Sequence, residues 1–369
     1  MSYKERGNRL LKALDFWVGI PLLILLSLFK VKKNNLQPLS KVRNIALFKS
    51  AAIGDTVVLS AVVGDIRRIN PDARLTIFAG SSNYEAARLI PGIDEVVRLP
   101  VTQPLVAIRM LRKTDEFDLW IDFGSWPRLD ALLSWAACAD LKVGFASAGQ
   151  YRHYLYDLAI EHRDTVHELY NYRNLLEPLG VEGVCMPSLK TSAVVREQKL
   201  VVIHMFPGGN RSYLKEWPVE RWIELASQLS GKGFRIVLTG APADRQRAQI
   251  VADQLNSQDV TSVAGTLNLE QTVNLLNSAG LVISVNTGIM HVASALGCNL
   301  VSLNGPTSVV RWGALNPNSI SLKSCLDCSP CIHLGFEYKC DDNDCMREIT
   351  TAAVLEATDT LVHRADSSA

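Results

Sequence analysis

Three stretches of the chain carry residue types that could act on a ligand together. In the last third, Asn286-Thr287-Gly288 interrupts an apolar run, and His291 follows one helical turn on. A strand that stops at such a turn and restarts as a helix leaves backbone N–H groups without intrahelical acceptors, and the helix dipole then favours a phosphate there. His291 has two readings, an imidazole facing that ligand or a core histidine with its hydrogen bonds satisfied. Earlier, Phe206-Pro207-Gly208-Gly209-Asn210-Arg211-Ser212 is a loop rich in accessible amides, with Lys215 close behind. Its composition suits a phosphate cradle, but no Gly-Lys-Ser/Thr follows, so it is not a Walker A loop. Near the start, Asp55 closes Ser50-Ala51-Ala52-Ile53-Gly54, where it is either a helix N-cap or a carboxylate held over a crevice as a general base.

The elements that must position these residues alternate along the chain. Asn44 to Lys49, Arg74 to Ala79, Glu95 to Leu99 and Leu119 to Asp122 read as strands, each followed by an amphipathic stretch at helical spacing. Lys142 to Gly144 reads as a short strand and His162 to Leu179 as a helix. Tyr151 to Tyr156, aromatic and basic, is either an acceptor surface or a packed loop. The alternation restarts with Lys199 to Met205, Phe234 to Thr239, Val260 to Val263, Leu281 to Val285 and Leu300 to Leu303, with Gly305-Pro306-Thr307 opening a further loop. Strands and helices in turn predict an α/β fold with parallel sheets covered on both faces. Irregular sequence with Pro187 puts the boundary near residue 190, giving 41–190 as an N-terminal domain and 191–369 as a C-terminal domain with a Cys-rich loop and a terminal helix.

Composition narrows the classes. With 369 residues and 48% hydrophobic content, the chain is long enough for two cores. A net charge of +1, with Lys and Arg scattered beyond the N-terminus, gives no electrostatic case for nucleic acid. Of the 8 cysteines, Cys325, Cys328, Cys331, Cys340 and Cys345 crowd together, with His333 near them. Their spacing is compatible with zinc, with loop disulfides or with unpaired thiols, and no metal is assigned. No Asp-x-Asp pair sits in a ligand-facing loop, and no Gly-x-Gly-x-x-Gly follows the first strand of either half.

Residues 1–40 form a hydrophobic segment and a linker. Arg6, Arg9 and Lys12 precede an uncharged run from Phe16 to Phe29, and Lys30, Lys32 and Lys33 follow it. The run is short of the roughly 20 apolar residues that span a bilayer, and Pro21 would disturb a helix within it. Cations on both sides suit residues 10–33 to lie on an anionic membrane surface, peripheral on the inner face of the cytoplasmic membrane, with a tilted span, a signal peptide or a docked core helix as the alternatives.

Taken together, Ile53-Gly54-Asp55, Pro207-Gly208-Gly209 with Lys215-Glu216-Trp217-Pro218, and Asn286 to Ala293 leading to Gly305-Pro306-Thr307 and Arg311-Trp312-Gly313 resemble glycosyltransferase family 9. That family comprises the ADP-heptose:lipopolysaccharide heptosyltransferases and their relatives. The resemblance implies a GT-B fold, two Rossmann-like doubly wound domains facing across a cleft, with the nucleotide-sugar held by the C-terminal one and the acceptor by the N-terminal one. It also implies metal-independent, inverting transfer of a heptose or related sugar, ADP-heptose as donor and substrate rather than cofactor, and a lipid-linked lipopolysaccharide core or other surface glycan as acceptor. Asp55 then matches the general base, and Lys215 a lysine near the donor phosphates. Gly208, Gly209 and Asn210 match the donor loop, Thr287, Gly288 and His291 the phosphate turn, and Asp244 an acidic position near the nucleoside. Asn286 departs from the family's usual Asp. An amide loses the negative charge and adds donors, so either donor preference changes or the residue chiefly shapes the turn. A non-catalytic nucleotide-sugar-binding protein in a glycan-assembly complex is the alternative.

Overall fold

Parallel pairing dominates the computed structural model, which describes residues 9–33, 36–209, 211–332 and 340–366. By internal contacts the chain divides into two units, Met1–Ser188 and Leu189–Ala369. The first is built on β1 (Asn44–Lys49), β2 (Arg74–Ala79), β3 (Glu95–Arg98), β4 (Phe117–Asp122), β5 (Ala139–Ala146) and β6 (Leu158–Glu161), in the order β3-β2-β1-β4-β5-β6. The second contains β7 (Glu197–His204), β8 (Arg235–Thr239), β9 (Val260–Ser262), β10 (Ala279–Val285), β11 (Leu300–Asn304) and β12 (Ser319–Lys323), in the order β12-β11-β10-β7-β8-β9. The two orders are the same doubly wound path. In each, the chain leaves its first strand in one direction, then returns to that strand's other side. The carboxyl ends of the two strands at the reversal, β1 with β4 and β7 with β10, open a crevice within their own unit.

Strand burial follows from coverage on both faces. Ile45 to Phe48 and Leu281 to Ile283 are fully buried runs rather than alternating ones. In the first unit Phe48, Phe78, Phe117 and Trp120 form an aromatic core, with Phe78 and Trp120 centroids 4.9 Å apart. In the second, Trp217 and Trp222 meet edge to face at 4.8 Å beneath the sheet.

Two expectations change. His162 to Leu179 is not one helix: β6 lies just before it, and a turn precedes a helix at Glu168–Asn174. The Asn171 amide holds that turn open, accepting from Arg163 N–H at 2.9 Å and donating to Arg163 C=O at 2.8 Å. Pro21 also does not disturb a helix within the apolar N-terminal run. The run breaks at Val18 into Arg9–Trp17 and Gly19–Ser27, which puts Pro21 in a first turn where its missing N–H costs no hydrogen bond. Leu23, fully buried, packs the second helix onto Ala131, Leu155 and Tyr156. Asp15 to Arg128 at 2.9 Å and Lys30 to Asp157 at 2.7 Å clasp the segment to the first unit. No helix among the described residues is long and apolar enough to cross a membrane.

Candidate functional site

In the first unit the loop after β1 runs directly into the helix Ile53–Ile69, which begins earlier than its apolar spacing suggests. Asp55 therefore lies inside the first turn, and the N-cap is Ala52, held at φ 79° in the left-handed region. A non-glycine residue there is strained, and its neighbours fix it. Thr56 Oγ1 donates to Ala52 C=O at 2.8 Å, while the buried Asn83 amide donates to Thr56 Oγ1 at 2.8 Å and to Lys49 C=O at 2.9 Å. The Asp55 carboxylate, 20% exposed, meets Lys49 Nζ at 3.0 Å. Lys49 is itself buried and donates to Phe123 C=O at 3.1 Å, at the carboxyl end of β4. A carboxylate so held is fixed in orientation and position, yet retains a face open to solvent.

In the second unit the predicted residues other than Asp244, which follows β8, fall into two loops at the β7–β10 reversal, where His204 pairs with Ser284 across the ladder. The loop after β7 turns through Gly209 at φ 102°, a conformation that glycine alone adopts readily, and Arg211 at φ 49°. Asn210 lies outside the described residues. A 3-10 turn, Ser212–Lys215, brings Lys215 Nζ back onto Gly208 C=O at 2.8 Å. Lysine and glycines thus belong to one closed loop, with a cation beside the backbone.

After β10, Thr287 is the N-cap of the helix Gly288–Ala295, and its hydroxyl makes no cap bond. The Thr287 hydroxyl and the first-turn N–H groups of Gly288 and Ile289 are the donors that this helix start presents. His291 is buried at 6% exposed. Asn286, 9% exposed, is spent largely on the turn: its Nδ2 donates to Asn304 Oδ1 at 2.8 Å and to Trp312 C=O at 3.1 Å. It ties the β10 loop to the β11 loop, where Ser308 caps the helix Val309–Trp312 and Arg311 is fully buried. Asp244 turns inward instead. Its Oδ2 accepts from Ala241 N–H at 2.9 Å within its own turn, and burial pushes its carboxyl up.

Sequence reasoning missed His204, at the end of β7. It is buried against Thr239 Oγ1 at 3.0 Å, and burial pushes its imidazole down to about 4, so it is neutral at physiological pH. An apolar strand ending in His gives no signal of that. The Cys-rich segment packs behind the β11 loop: Pro306 C=O accepts from Cys331 N–H at 3.0 Å, and Gly305 N–H points to Met346 Sδ at 3.2 Å. Cys325, Cys328, Cys331, Cys340 and Cys345 are unbridged, and burial, then the nearby Cys331, pushes the Cys345 thiol up to about 12. Among the described residues no group of three His, Cys, Asp or Glu side chains is arranged to hold a metal; His333 lies outside them.

Two doubly wound units, each with its loops gathered at the strand-order reversal, have the fold of GT-B glycosyltransferases. The structure superposes on E. coli ADP-heptose lps heptosyltransferase II with a TM-score of 0.71 at 19% identity, covering 88% of this chain and 99% of that one. It superposes on the E. coli heptosyltransferase WaaC with ADP at a TM-score of 0.70 and 18% identity, over 86% and 99% of the two chains. The sequence model of glycosyltransferase family 9 (heptosyltransferase) matches residues 108–340, and the chain belongs to that family. Lipopolysaccharide heptosyltransferase 2 of Salmonella typhimurium is 36% identical over 110 residues, 29% of this chain and 32% of that protein. The alignment thus spans about a third of the relative's length.

Proposed function

We propose that this enzyme transfers a heptose or related sugar from a nucleotide-sugar, ADP-heptose, to a lipopolysaccharide core or other surface glycan, with inversion and without a metal. The observation that carries the reading is that each unit holds its own candidate residues at its strand-order reversal: an immobilised, partly exposed carboxylate in the first, and a cation-bearing amide loop with an uncapped helix start in the second. Relatives named as heptosyltransferases, and one solved with ADP, supply the donor class.

In this mechanism Asp55 takes the proton from an acceptor hydroxyl as that oxygen attacks the anomeric carbon. The new bond is between acceptor oxygen and anomeric carbon, the broken one is between anomeric carbon and phosphate oxygen, and the nucleoside diphosphate leaves. Lys49 fixes the carboxylate's orientation, which supports proton transfer by keeping the base within reach of the hydroxyl. Lys215 and the Gly208-Gly209 amides take the diphosphate with Thr287, Gly288 and Ile289, offsetting the charge that grows on the leaving group without help from a cation in solution. Asn286 keeps one acceptor, Oδ1, for a sugar hydroxyl. His291 supports the phosphate turn from beneath it.

The proposal includes a peripheral location on the cytoplasmic face of the membrane. Phe16, Trp17, Leu28, Phe29 and Val31 are exposed on the N-terminal segment, beside exposed Lys32 and Lys33. Aromatic and aliphatic side chains beside cations suit the headgroup region of an anionic leaflet. Co-sedimentation with anionic but not neutral vesicles is the expected result, and equal recovery with both would remove the charge component.

Purified protein incubated with ADP-heptose and a heptose-deficient acceptor, with chelator present, is expected to transfer the sugar. Asp55→Ala should lose transfer while its donor affinity stays within about twofold. Binding of the donor with no turnover by the native protein would support the non-catalytic alternative, and no binding of any of several donors would sink both.

A further inference from the structure

Directly behind the Asp55 loop, in the first unit, lies a buried polar cluster that the steps above leave unused. Asp122 ends β4, and Asp130 lies in the first turn of the helix Arg128–Ala136; they are 0% and 2% exposed. Both converge on Gly124, where an added Cβ would stand 2.3 Å from Asp130 Oδ2 and 3.0 Å from Asp122 Oδ1. Only glycine lets the two carboxylates share that space.

Their partners are unequal. Asp122 Oδ1 accepts from Gly124 N–H at 2.8 Å, and its Oδ2 accepts from Tyr156 OH at 2.6 Å, Arg152 at 2.9 Å and Ser134 OH at 3.0 Å. Asp130 Oδ2 accepts from Ser50 OH at 2.8 Å, and Ser50 is the first residue of the loop that carries Asp55. The charged and titratable groups around Asp130 are Lys49 on β1, Asp122 on β4, and Arg152 and Tyr156 on the 3-10 turn after β5. Tyr172 lies under Lys49, whose Nζ stands 5.5 Å from its ring centroid, and Arg128 on Asp130's own helix is taken by Asp15.

Two cations, Lys49 and Arg152, stand against Asp55 and Asp122. A charge on Asp130 would be a third anion against those two cations in a space closed to water, which is costly unless Lys49 is shared. Burial, and next the Asp122 charge, push the Asp130 carboxyl up to about 7. Near neutrality the group therefore passes between an acid that leaves Lys49 to Asp55 and an anion that competes for it.

We propose that Asp130 is a positioning residue for Asp55, acting through the Ser50 hydrogen bond and the shared Lys49 charge, so that its protonation governs how firmly the base is held. The inference rests on Asp55 being the base of the transferase reading. Its consequence is a built-in upper limit to the pH range over which the Asp55 loop keeps one geometry.

The test is carboxyl-carbon NMR of aspartate-labelled full-length protein between about pH 5 and 9, with Asp55 and Asp130 assigned by through-bond correlation to their own backbone resonances. The expected result is that Asp130 titrates near neutrality and that the Asp55 resonance shows a step at the same pH, which disappears in Asp130→Asn. Ser50→Ala keeps both carboxylates and removes a bond to the ionised form, so both steps should move together to higher pH. This second variant decides the matter even if Asp130→Asn does not fold. An Asp55 resonance with no such step, or steps that part in Ser50→Ala, overturns the proposal whether or not transfer is observed. Loss of transfer in a protein that keeps the coupled steps would instead count against the transferase reading alone. In a transfer assay the same step should appear as the upper limb of the kcat/KM profile.

Discussion

Replacing Asn286 by Asp changes one atom of the side chain, and this structure predicts that the change is costly here. The Asn286 Nδ2 donates to Asn304 Oδ1 at 2.8 Å and to Trp312 C=O at 3.1 Å, in a position only 9% exposed. Asn304 cannot turn its amide round to compensate, because its own Nδ2 is held by Ser302 C=O at 3.1 Å, Ser302 Oγ at 3.0 Å and Leu322 C=O at 3.4 Å. A carboxylate at 286 would thus face two oxygens that can only accept. Two hydrogen bonds at about 1 kcal/mol each are lost, and a buried anion left against acceptors adds about 1–3 kcal/mol, giving about 3–5 kcal/mol at about pH 8. A protonated carboxyl can donate one of the bonds again, so the folded protein holds this proton more tightly than the unfolded chain. The added group's contribution is therefore lost as pH rises from about 4, and the deficit shrinks on acidification. Urea unfolding of Asn286→Asp and wild type at about pH 5 and 8, with m-values compared, checks both size and sign. A variant within about 0.5 kcal/mol of wild type at the higher pH would refute the claim that this amide builds the turn.

Arg152→Met should destabilise the first unit by about 3–5 kcal/mol, since it strands the buried Asp122 charge, and Asp122→Leu in the same protein should recover much of that. Urea midpoints of the two variants measure it, and a loss below about 1 kcal/mol for the single change would show that Tyr156, Ser134 and the Gly124 amide suffice. His204, pushed down to about 4 by burial, is deprotonated in the fold while the unfolded chain binds a proton below about 6.5. It therefore costs stability as pH falls from about 6.5 to 4, at up to about 1.4 kcal/mol per unit, and His204→Gln should flatten that part of the stability profile. An unchanged profile would mean that other groups dominate acid sensitivity.

Local sequence determined the strands and most of the helices. β1 and β2 fall where their apolar runs place them, because strands buried on both faces need uninterrupted hydrophobic stretches whatever surrounds them. The turn chemistry of Pro207-Gly208-Gly209 and Asn286-Thr287-Gly288 was equally legible, since glycine and asparagine at a strand end report backbone geometry directly. Weaker local patterns misled. Leu158–Glu161 is too short to separate from its flanks by periodicity, and the turn after it is held by Asn171 side-chain bonds rather than by spacing. Ser319–Lys323 gave no signal either, as a half-buried edge strand of mixed polarity.

What only the tertiary structure decided is the company each polar residue keeps. Lys49 with Asp55, Asp122 with Asp130, and Arg152 come from three separate stretches of the chain, and the pairing of β1 with β4, Phe48 opposite Asp122, brings the first two together. Nothing in the types or spacing of an aspartate in a helix and an arginine in a tyrosine-rich loop distinguishes a buried cluster from a solvated surface. Likewise Asn286 reads in sequence either as a change in donor preference or as a residue that shapes the turn, and the fold adds its partners, Asn304 and Trp312, in a second loop. Asp244 matches an acidic position near the nucleoside by resemblance, and the fold adds that its Oδ2 accepts from Ala241 N–H in its own turn. Periodicity is a property of neighbours in the chain, whereas charge pairing depends on strand order and register, and those are fixed only when the sheets form.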